Sequence, residues 1–132
     1  MSQLTQLLPP DWPRPRGYAN GIAATGKMVF VAGQIGWDTS GRIVSTDFAE
    51  QFRQVLLNTL AVLAEAGAGP EHVCRMTWYV TSREDYTAAL AELGAHWKAL
   101  MGRHYPAMAV VIVSGLVEPE AKIEIETTAM VG

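Results

Sequence analysis

The chain has 132 residues, which fits one domain of ordinary size and leaves no room for a second. Hydrophobic residues make up 49% of it and charged residues 17%, a balance that demands a packed core and excludes an intrinsically disordered chain. The 10 basic and 13 acidic residues give a formal charge of −3 with no Lys/Arg run, so the broad positive footprint of a nucleic-acid binder is missing and no nucleic-acid partner is expected.

Cys74 is the only cysteine, which rules out an internal disulfide and any multi-cysteine metal site. Its neighbours, Val73-Cys74-Arg75-Met76-Thr77-Trp78, read as a strand, so a buried and inert thiol is expected. The start, Met1-Ser2-Gln3-Leu4, lacks the basic residues and long apolar run of a signal peptide. No apolar stretch approaches the length of a membrane span, and a cytoplasmic protein without a membrane partner is the expectation.

In chain order, residues 1–15 come first, with prolines crowded into Leu8-Pro9-Pro10-Asp11-Trp12-Pro13-Arg14-Pro15. Proline donates no ladder hydrogen bond, so this segment reads as an extended arm rather than a strand, ahead of a single domain over residues 16–132. Two β-prone runs, Tyr18 to Ala24 and Met28 to Ala32, flank Thr25-Gly26-Lys27 and predict a hairpin. From Asp47 to Ala66 the period changes. Phe48, Phe52, Val55, Thr59, Val62 and Ala66 recur at three- and four-residue steps, the mark of an amphipathic helix. Thr46 or Asp47 can cap it, with Glu50 placed to complete a capping box from Asp47, and Gly67 and Gly69-Pro70 end it.

Val73 to Thr81 is again strand-like. A second helix follows, with Tyr86, Leu90, Leu93, Trp97 and Leu100 on one stripe and Gly102 closing it. The last strands are Ala107 to Ser114, nearly all apolar, and Lys122 to Met130, which alternates: Lys122, Glu124, Glu126 and Thr128 on one face, Ile123, Ile125 and Ala129 on the other. A short extra strand near Arg42-Ile43-Val44 is also conceivable. The order β-β-α-β-α-β-β predicts an α+β sheet with two helices on one face. The run Val110 to Val113 is apolar on both faces of its strand, so the face away from the helices calls for self-association.

Three separated blocks carry a resemblance: Gly17-Tyr18-Ala19-Asn20-Gly21, Ala32-Gly33-Gln34-Ile35, and the stretch from Pro106 to Glu126. In the last, Pro106-Ala107-x-Ala109 is followed by Val111, Ser114, Leu116 and Ile123-Glu124-Ile125. In spacing, type and order these resemble the YjgF/RidA family over nearly the whole chain. The resemblance implies a chorismate-mutase-like fold, a homotrimer with a central barrel-like core, and small-molecule sites in clefts between subunits. It also implies hydrolysis of reactive enamine and imine intermediates to ketoacids and ammonia, with no cofactor.

By the same resemblance Glu124 is the glutamate that orders the attacking water, Tyr18 lines the cleft, and the backbone amide of Gly33 meets the ligand. The family's arginine, which holds a substrate carboxylate at the third position of a Pro-Ala-Arg signature, is replaced by Met108. Two charge-assisted hydrogen bonds are lost with it, at a cost of about 3 kcal/mol or roughly two decades in affinity. With Met108, Ala109 and Val110 beside the cleft and Ala32 before Gly33, the site becomes more apolar than the family's usual one. An aromatic-ring breakdown product or another large apolar substrate suits it better than a short imine. Arg103 and His104 lie just upstream as alternative cations.

Each of these residues also has an ordinary structural reading. Glu124 shares a polar strand face with Lys122 and Glu126, where a solvated or cross-strand-paired carboxylate is equally consistent. Tyr18 serves as well for packing, and Met108 reads as a hydrophobic wall. His72, His96 and His104 have no metal-ligand spacing, and no metal is expected. Besides the deaminase, the sequence is compatible with a trimer that binds a small metabolite without turning it over, and more remotely with a ribonuclease or translation inhibitor.

Overall fold

In the computed structural model, which describes residues 4–132, strands β1 (Leu4–Leu7), β2 (Gly21–Ala24) and β3 (Lys27–Gln34) precede a long helix, α1 (Phe48–Glu65). Strand β4 (Val73–Val80), helices α2 (Arg83–Ala88) and α3 (Leu90–Met101), and strands β5 (Ala107–Ile112) and β6 (Ile123–Val131) follow. Four strands form one sheet in the order β3-β6-β4-β5, in which only β4 and β5 run parallel. This is the α+β architecture expected from the element order. Among the described residues no helix is long and apolar enough to cross a membrane.

The N-terminal region departs from the expectation. The hairpin between the runs at Tyr18 and Met28 does not form; β2 pairs antiparallel with β1, Leu4 opposite Ala24 and Leu7 opposite Gly21. The arm therefore contains a strand. Its prolines begin at Pro9, after β1 has ended, so they remove no donor from that ladder. The first three residues of the arm lie outside the described part. Near Ile43 a single bridge to Trp37 takes the place of the extra strand.

Helix α1 starts where the sequence indicates. The Asp47 carboxylate accepts from the Glu50 amide at 3.0 Å, a cap that contributes about 1 kcal/mol. The reciprocal half of the capping box is absent: the Asp47 amide donates to Ser45 Oγ at 2.9 Å instead. The buried stripe runs through Phe52, Val55, Leu56, Thr59 and Leu63, whereas Val62 turns outward. The step from Thr59 to Leu63 keeps the i, i+4 row that an expected Val62 breaks.

The second helix is two. Ser82 caps α2 by accepting from the Asp85 amide at 3.1 Å, and the chain turns at Ala89 before α3 begins. The break leaves Leu90 51% exposed, while Leu93, Trp97 and Met101 enter the core. Gly102, at φ 71°, ends α3 in the left-handed region open to glycine. Gly94, inside α3, has open space where a Cβ would stand. Gly94→Ala should therefore stabilise the fold by about 0.5–1 kcal/mol, read as a higher urea midpoint with an unchanged slope.

The alternation of β6 holds: Ile123, Ile125, Thr127 and Ala129 are buried toward the helices. Helices α1 and α3 pack together over this face, with Phe52, Leu56, Met76, Ile123 and Ile125 fully enclosed. On the opposite face Phe30 is 73% exposed and Met28 50% exposed, and Ala109 and Val111 are also open. An apolar sheet face left without a helix layer is the surface from which self-association was expected.

Candidate functional site

The expected site residues fall into two groups on opposite faces of the sheet. The first group centres on Glu124. In β6 it sits opposite Tyr79 of β4, its side chain on the open face and half-buried. Two pairs between β3 and β6, Val31 with Thr127 and Gln34 with Ile125, enclose one more residue on β3 than on β6. This bulge brings Gly33 beside Glu124, a common device for re-aiming backbone next to a functional group. A Cβ at Gly33 would collide with the Glu124 carboxylate, so any side chain there would push Glu124 out of its place.

The two glutamates of this face differ. Glu126 accepts a hydrogen bond from the Tyr79 hydroxyl at 2.7 Å. That bond, followed by desolvation and the charges of Glu126 and Glu124, pushes the Tyr79 phenol above its ordinary value. Glu126 is thus engaged in the sheet. Glu124 has no hydrogen-bond or ion-pair partner among the described residues, so the cross-strand-paired reading applies to its neighbour instead.

The loop that carries Gly33 is held from α1. Asn58 Nδ2 donates to the carbonyls of Ile35 at 3.1 Å and Trp37 at 2.9 Å. Gln51, fully buried, donates to the carbonyls of Ser45 at 2.8 Å and Glu120 at 3.0 Å, and its Oε1 accepts from the Lys122 amide at 2.8 Å. Gly36 has no room for a side chain against the Gln51 backbone, whose Cα would lie 2.8 Å from a Cβ. One polar row of α1 therefore sets both the Gly33 loop and the entry to β6.

The second group lines a cavity of about 420 Å³ between β5 and helices α2 and α3. Met108 and Val110 form its floor, Leu93 and Trp97 its helical wall, and Tyr18 stands at its mouth. Met108 pairs with Met76 and Val110 with Trp78, so both point to the helix side, away from the face of Glu124. The Ala19 amide donates to the Pro106 carbonyl at 2.9 Å, and a parallel bridge joins Ala19 to Ala107. These contacts lay the arm along β5 and place Tyr18. An aromatic series forms the depth of the cavity wall: Phe52 to Trp78 at 4.9 Å, Trp78 to Trp97 at 6.1 Å, and Trp97 stacked on Tyr105 at 5.9 Å.

Arg103 is not in this cavity. It lines an adjoining cleft with Arg14 and Tyr18, while Ala109 lies on the open face with the first group. His104 is half-buried and its Nε2 lies 2.7 Å from the Val73 carbonyl, a structural contact. Among the described residues no cluster of His, Cys, Asp or Glu could hold a metal ion. Cys74 is half-buried rather than enclosed; burial pushes its thiol up, against a smaller lowering from the Met130 backbone, in keeping with an inert sulfur. Trp78 and Arg16 were not singled out from the sequence as site residues: a strand tryptophan reads as core, and Arg16 stands in no motif.

A family model described as Endoribonuclease L-PSP matches residues 13–131. A RutC family protein from Pyrococcus abyssi is 35% identical over 118 residues, covering 89% of each chain. The 2-iminobutanoate/2-iminopropanoate deaminase of Salmonella typhimurium is 32% identical over 116 residues, covering 86% of each. A solved structure of the conserved Rid protein family, YyfB from Yersinia pestis, superposes with a TM-score of 0.84 at 32% identity, over 98% of this chain and 99% of that one. These matches span nearly the whole chain in sequence and in fold, and the chain belongs to the YjgF/RidA family. Relatives in that family include imine deaminases.

Proposed function

We propose that the chain is a hydrolytic deaminase of enamine or imine intermediates, assembled as a cytoplasmic homotrimer, with Glu124 as the base that orders and deprotonates the attacking water. The observation that carries this reading is the Glu124 carboxylate, half-buried, unpaired among the described residues and seated against Gly33. Water adds its oxygen to the imine carbon as the C=N electrons move to nitrogen. Glu124 takes the proton released by the water and returns it to the nitrogen, giving a carbinolamine. It then passes the remaining hydroxyl proton to the nitrogen as the C=O forms and the C–N bond breaks, and the carbonyl compound and ammonia leave. The Gly33 backbone, seated beside Glu124, offers an amide donor on the same face.

Within one chain, Glu124 and Tyr18 sit on different faces of the sheet. A trimer that lays the open face of one subunit against the β5 edge of the next would complete the cleft, and the exposed Phe30 and Met28 supply apolar surface for such a contact. Arg103, Met108, Ala109 and Val110 then line the substrate half. With methionine at position 108, the preferred imine carries a larger, more apolar body than those named for the Salmonella relative.

The test is ammonia release from imines generated enzymatically in place. The wild type should favour bulky over short imines, and Met108→Arg should raise kcat/KM for short imino acids by about 10²-fold as it restores a bidentate carboxylate donor. Release no faster than buffer across all imines would leave the second reading, a metabolite-binding trimer, which the loss of the arginine favours.

A further inference from the structure

The cavity beside β5 does not end at its mouth. It shares Arg16, Gly17, Tyr18 and Tyr105 with the adjoining cleft of about 550 Å³. That cleft is lined by Arg14, Arg16 and Arg103 and by no aspartate or glutamate. Three of the chain's 10 basic residues, all exposed, therefore line one cleft in a protein of formal charge −3. None of the three has a hydrogen-bond or ion-pair partner among the described residues. Guanidiniums gathered without a counter-charge repel one another, and an anion relieves that repulsion.

An independent observation lies at the other end. Trp78 lines the cavity and is only 6% exposed, and its indole N–H has no hydrogen-bond partner. Trp97, its neighbour in the aromatic series, satisfies its own N–H on the His104 carbonyl at 3.1 Å. The unpaired Trp78 nitrogen is itself enclosed, so what the cavity presents to a ligand at this end is aromatic and aliphatic surface. Around it the surfaces are aromatic and aliphatic: Tyr86, Leu93, Trp97, Met108 and Val110. A volume of about 420 Å³ is in the range of small-molecule sites.

We propose that cavity and cleft form one elongated site for an acidic aromatic molecule. Its ring stands in the cavity among Trp78, Trp97 and Met108, and its carboxylate or phosphate meets Arg16, with Arg14 and Arg103 behind. The cation that Met108 removes from the sheet is thus supplied from the arm and from the α3–β5 connection. Binding along β5 holds the arm in register, since Ala19 is tied to Pro106 and Ala107. This assignment rests on reading the cavity as the ligand half of the cleft, not on any turnover there.

Calorimetric titration of the full chain decides it, with 3-phenylpropionate and 2-phenylethyl phosphate as acidic probes and 3-phenylpropanamide as the neutral one. At least one acid should bind about tenfold or more tightly than the amide, and the tighter of the two identifies the acidic group. Arg16→Gln should remove that preference and leave the amide affinity unchanged. Gly94→Phe fills the cavity from α3, where a Cβ meets open space, and should abolish binding of all three probes. If it lowers Tm, Leu90→Trp blocks the cavity from an exposed position instead. The proposal is overturned if neither acid binds, if the amide binds as tightly as both acids, or if the cavity-filling variant binds like wild type. None of these readouts involves Glu124, so imine hydrolysis stands or falls separately in the ammonia-release test.

Discussion

Glu124→Gln is expected to lower kcat for imine hydrolysis by about 10²–10⁴-fold, the range over which a positioned general base acts, with Tm close to wild type. The substitution keeps the shape of the side chain and removes its ability to accept a proton. It orphans no buried partner, since the Glu124 carboxylate is hydrogen-bonded to no other described residue. A structural role would reverse this pattern, with stability falling and activity following it. Glu126→Gln is the internal control. It weakens the bond from the Tyr79 hydroxyl on the same sheet face but leaves the Gly33 bulge and Glu124 in place. Equal losses in the two variants would mean that the charge of the face matters rather than this carboxylate. No loss in Glu124→Gln would take the role of base away from this carboxylate and leave the turnover to another group.

The geometry around Glu124 also explains which parts of the fold and site could be read from the sequence. Period-two alternation in β6 depends only on neighbours in the chain, so Ile123 and Ile125 facing inward and Glu124 outward were legible. The cap of α1 was local too, but only to within Thr46 or Asp47, and the Glu50 half of the expected box gives way to Ser45. The pairing of β2 was not, because either a preceding or a following strand satisfies its ladder, and the choice of β1 is tertiary. Nor was the turn at Ala89, which has neither glycine nor proline to announce it. The resemblance placed Tyr18, Gly33, Met108 and Glu124 in one site, yet in a single chain they separate onto two faces. The arginine cleft was the least legible part. Arg14 and Arg16 alternate with prolines in the arm while Arg103 follows α3, and only the contact of the arm with β5 brings them together.

The same α1 that carries the core stripe fixes the site through its polar row, and Gln51 is the strongest point of that row. Gln51→Leu should destabilise the fold by about 3–5 kcal/mol, because three backbone groups lose their partners at once and each unpaired enclosed group costs roughly 1–3 kcal/mol. Those groups are the Ser45 and Glu120 carbonyls and the Lys122 amide. Leucine is close in volume, so packing is nearly conserved and the loss reports hydrogen bonding rather than a cavity. The urea midpoint should fall with an unchanged slope. Gln51→Glu should be at least as damaging, since its carboxylate still accepts from Lys122 but is enclosed against two carbonyl oxygens to which it cannot donate. Because Lys122 leads directly into Ile123 and Glu124, the surviving folded fraction of Gln51→Leu should also lose activity beyond its loss of stability. Full specific activity in that fraction would show that Glu124 is positioned by the sheet ladder alone. A stability change under about 1 kcal/mol would mean that the three backbone groups find other partners when Gln51 is removed.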